Sequence, residues 1–342
     1  MGGPQLYRFF AWATVGMTFA LLINNYLDFW RGWPGVWHLA VVLGLSEGEP
    51  RDVGLALIQL ATYLLALALP AWYVLRRPER SLRDDSASLH RFNIYLVRWS
   101  FWAIFLVGFA DALISFLRIE AFLEPLVGTD LTAELGLARA RVPYVHLPLI
   151  LLSFVIAAFT RTLGFQWLAL LVVVAEMLIV VGRFIFSYEQ AFMADLVRFW
   201  YAALFLIASA YTLYEDGHVR VDVLYARFRR RKKGKVNAVG SVLLGMVFCW
   251  TILLLGLSSQ SAIINAPLIQ LEVTQSGFGM YIKYLMAGFL GFFAVTMMIQ
   301  FSSYFLESIA DSRDEPGSRL REHEEIEAEA RAQVDAEAGG RA

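Results

Sequence analysis

The fold is decided by residues 148–181, which read PLILLSFVIAAFTRTLGFQWLALLVVVAEMLIVV and are apolar almost throughout. A helix needs about 20 mostly apolar residues to cross a bilayer, so this stretch is long enough for two short crossings. Arg161 and Gly164 divide it, because an arginine beside a glycine favours a tight turn and disfavours the middle of a helix in lipid. The stretch therefore predicts two consecutive membrane-spanning helices.

The composition extends this prediction to the whole chain. Of its 342 residues, 58% are apolar and 17% charged, whereas soluble domains average about 25% charged residues. The single cysteine, Cys249, excludes an intramolecular disulfide and any cysteine motif for metal or redox chemistry. We therefore expect an all-α, polytopic helical membrane protein rather than a disordered chain, a disulfide scaffold or a cytosolic enzyme. The predicted spans are roughly Phe9–Tyr26, Val53–Leu75, Asn93–Phe116, Leu147–Phe159, Gln166–Gly182, Leu196–Leu213, Val236–Leu257 and Met280–Leu306.

The distribution of basic residues predicts the orientation. The loop 76–91 holds five Lys and Arg residues and the loop 214–235 holds eight, whereas the alternate loops hold three at most. Because cytoplasmic loops are enriched in Lys and Arg, both termini are predicted to be cytoplasmic. The first span also resembles a signal peptide, but it lacks a small-x-small cleavage site and is expected to be retained.

Three segments outside the spans have a distinctive composition. Trp30, Trp33 and Trp37 cluster in the first outer loop, as aromatic residues do at a membrane interface. Residues 187–200 are amphipathic enough to lie flat on the membrane before the sixth span. Residues 310–342 form an acidic cytoplasmic tail that is expected to be disordered.

A basic run precedes the seventh span. It consists of Arg229, Arg230, Arg231, Lys232 and Lys233. Beside a span on the positive side, such a run is typical of a topology determinant that also contacts anionic lipid headgroups. Phospholipids are therefore its expected partners, and nucleic acid is not.

The sequence offers no catalytic constellation. The five histidines are His38, His90, His146, His218 and His323, and none is clearly within the membrane, although His146 comes closest. A haem anchor would need paired histidines at bilayer depth, and P-loop, dinucleotide and zinc-protease motifs are absent from the sequence. We expect no enzymatic activity, no cofactor and no metal site.

Two carboxylates fall within predicted spans: Glu176 near the middle of the fifth, and Asp111 towards the outer end of the third. An ionisable group at the bilayer centre costs about 2.5–3.5 kcal/mol on insertion scales, so each requires a partner, a cavity or a proton. One interpretation is a coupling-ion or proton site. The other, which we favour, is a hydrogen bond between helices that stabilises packing, or, for Asp111, contact with the outer interface.

The segment Tyr214–Tyr225, YEDGHVRVDVLY, resembles the Gly-His-(Val/Ile)-x-(Val/Ile)-Asp-x-Leu loop of the small membrane subunit (DctQ type) of TRAP transporters. The family core has four helices, and the corresponding region here is about Gln166–Ile309. The stretch before the sixth span matches the family pattern only in part. Gly217, His218 and Asp222 are candidate loop residues, either for partner contact or for a tight re-entry of the chain.

This resemblance implies a scaffold subunit in a bacterial inner membrane. In such importers of organic acids, a large DctM-type subunit holds the sodium and substrate sites, and a periplasmic binding protein delivers the substrate. Residues 1–145 are then an amino-terminal transmembrane extension, and residues 146–309 are a DctQ-like core with one preceding helix. The alternative is an autonomous ion- or proton-coupled transporter that uses Glu176 and Asp111. A membrane redox subunit is disfavoured by the positions of the histidines.

Overall fold

The computed structural model describes residues 2–47, 52–161, 164–188, 191–214, 225, 227–273 and 279–317. Within these ranges the regular structure is helical and contains no strand, and eight helices are long and apolar enough to cross a membrane. They are α1 (Gly3–Arg31), α2 (Val53–Arg76), α3 (Leu82–Ile119), α4 (Ala138–Phe159), α5 (Phe165–Ile185), α6 (Ala191–Tyr214), α7 (Arg230–Gly256) and α8 (Lys283–Ser312). The predicted all-α fold with eight spans is confirmed.

The predicted division of residues 148–181 is also found. Helix α4 ends at Phe159 and α5 begins at Phe165. Gly164 precedes α5 with a φ of +75°, a conformation that favours glycine. The ring of Phe101 fills the space that a Cβ on Gly164 would need. The turn therefore depends on this glycine for two independent reasons.

Several helix ends differ from the prediction. Helix α4 begins at Ala138 rather than Leu147, and it passes through wide π-helical turns at Val142–His146. Helix α7 begins at Arg230, so the basic run is largely helical rather than a loop. Residues from Ala191 onward are continuous with α6, so the amphipathic stretch before the sixth span is not a separate surface helix there. Hydropathy missed these extensions because polar helical turns continue beyond the apolar parts of the spans.

Helices α3 and α8 form the central antiparallel pair of the bundle. Their hydrophobic windows bury 44% and 50% of their residues, the largest shares among the eight helices. Polar contacts join them over the first turns of α3: the Ser86 and Ser303 hydroxyls lie 2.9 Å apart, and His90 Nδ1 lies 3.1 Å from Gln300 Oε1. Helix α3, from the predicted amino-terminal extension, and α8, from the predicted DctQ-like core, therefore belong to one packed interior.

Two apolar clusters flank this pair. The first joins α1, α3, α7 and α8 through residues such as Ala11, Leu89, Leu253 and Met298. The second joins α3, α5, α6 and α8 through residues such as Ile104, Leu168, Phe199 and Phe289. The hydrophobic windows of α2, α4 and α5 bury only 17%, 17% and 11% of their residues, so these helices form the periphery.

Ion pairs bring four helix ends to one end of the bundle. Arg8 near the start of α1 pairs with Asp85 near the start of α3 at 2.6 Å, and Arg83 pairs with Asp311 near the end of α8 at 2.8 Å. Arg230 at the start of α7 lies 3.6 Å from the same Asp311 carboxylate. The first and last spans therefore present their terminal ends on the same side. Which side faces the cytoplasm stays a prediction.

Candidate functional site

A buried charge network surrounds Asp111, at the end of α3 that lies far from Arg83. We call it the Asp111 network, and it comprises Asp111, Arg141, His146, Tyr281 and Tyr284. Arg141 Nη1 donates to Asp111 Oδ1 at 2.9 Å, and His146 Nε2 lies 3.0 Å from the same oxygen. The backbone N–H of Tyr281 donates to Asp111 Oδ2 at 2.8 Å. Asp111, Arg141 and His146 are each fully buried.

Local helix geometry positions these groups. Ser115 lies one turn after Asp111 on α3, and its hydroxyl accepts a second hydrogen bond from Arg141 Nη1 at 3.2 Å. Arg141 and His146 bracket the π-helical turns of α4, where widened hydrogen bonding directs both side chains at Asp111. The Arg141 guanidinium also lies 4.1 Å from the centre of the Tyr281 ring, a distance suited to a cation–π contact.

Both oxygens of the Asp111 carboxylate are engaged, whereas the buried Arg141 Nη2 has no hydrogen-bond partner among the described residues. The Asp111 carboxylate is bound by Arg141 and His146 of α4 and by the backbone N–H of Tyr281, which precedes α8. His146 Nδ1 lies 2.9 Å from the hydroxyl of Tyr284 in α8. Asp111 therefore lies in the packed interior and not at the outer interface. These contacts connect α3 with α4 and with the chain entering α8, and they leave little of the carboxylate surface for a coupling ion.

Glu176 has a different environment. It is exposed on α5, and it makes no hydrogen bond or ion pair with the residues that the structure describes. Its neighbours Val173 and Met177 are 63% and 57% exposed. The structure thus does not bring Glu176 together with Asp111, and it does not show the expected hydrogen bond from Glu176 to another helix of this chain. Glu176 is thus a carboxylate on an apolar, outward-facing surface of the chain.

A second network lies at the opposite end, and sequence reasoning missed it. Arg83 on α3 pairs with both Glu307 and Asp311 on α8, and it also donates to the carbonyl oxygen of Pro316 at 2.8 Å. We call Arg83, Glu307, Asp311 and Arg230 the Arg83 network. The available signal in the sequence was the charge at the helix ends, with basic residues at the start of α3 and α7 and acidic residues at the end of α8.

The basic run is partly engaged within the chain. Arg230 donates to the carbonyl oxygen of Glu315 at 2.9 Å, and Arg231 pairs with Asp314. Lys232 lies 3.9 Å from the Phe228 ring centre, Lys233 lies 5.7 Å from that of Tyr225, and Arg229 is exposed. Contact of this run with lipid headgroups stays a prediction.

The candidate loop residues Gly217, His218 and Asp222 lie outside the described residues, as does the acidic tail beyond residue 317.

Comparison with known families assigns the carboxyl-terminal part of the chain. Residues 169–310 match the family model of tripartite ATP-independent periplasmic transporters, DctQ component. This region of the chain is therefore similar to the DctQ family. No curated protein and no solved structure matches the chain. The DctQ match covers nearly all of α5, then α6, α7 and all but the end of α8, and it includes the segment Tyr214–Tyr225.

The match relates residues 169–310 to a component of a transporter. Helix α3 lies outside the matched residues, yet it provides the central partner of α8 in both charge networks. The DctQ region of this chain is therefore packed directly against its amino-terminal helices.

Proposed function

We propose that this chain is the scaffold subunit of a tripartite importer of an organic acid in a bacterial inner membrane. A large DctM-type membrane subunit would hold the sodium and substrate sites, and a periplasmic binding protein would deliver the substrate. Sodium coupling would then belong to the large subunit. The DctQ match supports this assignment.

The exposure of Glu176 is the strongest structural support for this proposal. Helix α5 is the least buried of the eight helices, and its hydrophobic window has the highest mean hydropathy. A lipid-facing carboxylate near its middle would cost about 2.5–3.5 kcal/mol. A polar or basic group on a neighbouring subunit would remove that cost, so this face of α5 is the proposed contact with the large subunit.

The division of the chain supports a scaffold role as well. In the proposed arrangement, residues 1–145 widen and brace the DctQ-like core at 146–309. Arg83 and Asp111, both on α3, form ion pairs or hydrogen bonds with the two ends of α8. The Trp30–Trp37 loop is the proposed outer contact with lipid or the binding protein.

The alternative, an autonomous ion- or proton-coupled transporter, requires accessible ion-binding groups. Asp111 is instead fully buried and held by Arg141 and His146. Glu176 faces outward from a single peripheral helix. This geometry favours helix and subunit packing over ion coupling within the chain.

The test is reconstitution into liposomes with a sodium gradient. The chain alone should accumulate no organic acid, and uptake should require it together with the large subunit and the binding protein. The Glu176→Gln variant retains a hydrogen-bonding group and should support uptake within a few-fold of the unmodified complex.

The Glu176→Leu variant should weaken co-purification with the large subunit, by about 1–2 kcal/mol on the scale of interhelical hydrogen bonds in membranes. Met177→Leu, at the neighbouring exposed position, is the matched control and should assemble normally. Accumulation of substrate by the chain alone would contradict the scaffold assignment. Loss of sodium dependence in an assembled Glu176→Gln complex would favour the ion-coupling alternative.

A further inference from the structure

An apolar groove runs between α1, α2 and α3, outside the DctQ region. Its volume is about 600 Å³, and its lining includes Phe19, Leu65, Leu69 and Phe92. Leu65 and Leu69 are 53% and 58% exposed, so the groove is open along its side. In a membrane, that opening faces lipid.

Backbone chemistry shapes the groove. Pro70 lies inside α2 and has no N–H to donate to the carbonyl of Ala66, one turn earlier. The Ala66 carbonyl oxygen is directed at Gly16 on α1, 2.7 Å from where a Cβ would lie. The two helices therefore touch at Gly16, and the larger side chains on either side form the walls.

The length of the groove suits one lipid chain. Trp12 and Ile23 mark its ends on α1, and a rise of 1.5 Å per residue separates them by about 17 Å. Half the hydrocarbon thickness of a bilayer is about 15 Å. A helix of that length with its side chains would fill about 1,300 Å³, which is too much for the groove.

One end of the groove is cationic. Ser88 lies in the lining there, and its hydroxyl accepts from Arg80 Nη2 at 2.8 Å and from Arg91 Nη2 at 3.1 Å. The guanidinium of Arg77 lies 5.4 Å from the centre of the Tyr73 ring, which also lines this end.

Positive charge at this end exceeds negative charge. The Asp85 carboxylate is already shared by Arg8 and Arg80. Arg77 and Arg91 are exposed and have no ion pair among the described residues. A phosphate headgroup could therefore approach both without displacing a carboxylate.

We propose that this groove is a binding site for one anionic phospholipid. An acyl chain lies along α1 and α2 as far as Ile23, and the phosphate lies between Arg77 and Arg91 beside Ser88. Burial of the acyl chain contributes affinity, and the two arginines select a net negative headgroup over a zwitterionic one.

The test uses the purified full chain in detergent. Phosphatidylglycerol and phosphatidylcholine with identical acyl chains are titrated, and bound lipid is counted by native mass spectrometry. One phosphatidylglycerol should bind in preference to phosphatidylcholine. Arg77→Gln and Arg91→Gln should each weaken its binding about fivefold. Arg76→Gln is the matched control and should bind normally. Arg76 is exposed nearby but lies over Trp72, which does not line the groove, whereas Arg77 and Arg91 contact the lining residues Tyr73 and Ser88.

A second measurement needs no variant. Phosphatidylglycerol carrying a photoreactive diazirine on its acyl chain should label α1 and α2 residues of the groove, such as Phe19 and Leu65. Equal binding of both lipids, equal effects of the three Arg→Gln substitutions, or labelling spread evenly over the exposed faces of α4 and α5 would each overturn the proposal.

Discussion

At the scale of single residues, two intramembrane carboxylates of similar appearance in the sequence have opposite environments. Asp111 is fully buried and compensated by Arg141 and His146, whereas Glu176 is exposed and has no partner within the described chain. A buried charge is stable only when its partners are in place. Asp111 is therefore compensated within the chain, whereas the carboxylate of Glu176 is the group assigned to the proposed contact with the large subunit.

The Asp111 network predicts the stability of the chain towards substitution. Arg141→Ala should lower the free energy of unfolding by about 3–5 kcal/mol, because it leaves the Asp111 carboxylate buried without its main cation. The measurement is thermal unfolding of the full chain in detergent. Arg139→Ala is the matched control, since Arg139 is exposed on the same turn of helix, and it should leave the midpoint unchanged. Equal midpoints for the two variants would contradict the assignment.

At the scale of helices, the start of α7 packs closely against α8. Gly234 directly follows the basic run, and a Cβ there would come within 2.6 Å of the backbone of Ser308 and Ser312 on α8. The glycine allows the two helices to approach closely enough for Arg230 to reach Asp311. A residue that looks like a loop glycine in the sequence is therefore a packing position.

This close approach predicts opposite outcomes for two glycines on the same helix. Gly234→Leu should destabilise the chain by about 1–3 kcal/mol, because the side chain forces α7 away from the α8 backbone. Gly240→Leu is the control: a Cβ at Gly240 meets nothing within 4 Å, and leucine has the higher helix propensity, so stability should stay equal or rise. The measurement is the denaturation midpoint of each variant. An unchanged midpoint for Gly234→Leu would contradict the close approach of α7 to α8.

At the scale of the whole molecule, the amino-terminal extension and the DctQ region form one packed unit. Helix α3, from the extension, lies against α8 along its full length, and both apolar clusters draw residues from the two regions. The ion pairs at the Arg83 end also place the first and last spans side by side there. Because the terminal ends of the first and last spans lie on the same side, the chain must cross the membrane an even number of times. The eight helices satisfy this requirement.

The orientation of this unit can be tested with single cysteines in a chain whose buried Cys249 is replaced by alanine. Ser261→Cys, in the exposed connection between α7 and α8, should react with an impermeant thiol reagent in intact cells. Lys232→Cys, at the opposite end of α7, should react only after the membrane is opened. The reverse pattern would invert the predicted orientation without altering the fold.

Sequence patterns alone were sufficient to predict the class of the protein, the number of spans, the break between α4 and α5 and the similarity to the DctQ family. These features are local: transfer of a helix into lipid depends on the sum of its own residues, and a turn depends on its own arginine and glycine. Helix ends were less accurate because polar turns such as Arg230–Gly234 continue a helix beyond its apolar part.

Only the tertiary structure decided which helices pair and which faces are buried. Lipid tails are as apolar as leucine, so an apolar pattern does not distinguish a face that meets lipid from a face that meets another helix. The pairing of α3 with α8, the closure of Arg141 and His146 on Asp111, and the outward position of Glu176 all depend on residues that are distant in the sequence. Their meeting is a property of the folded bundle, because no single span contains both partners.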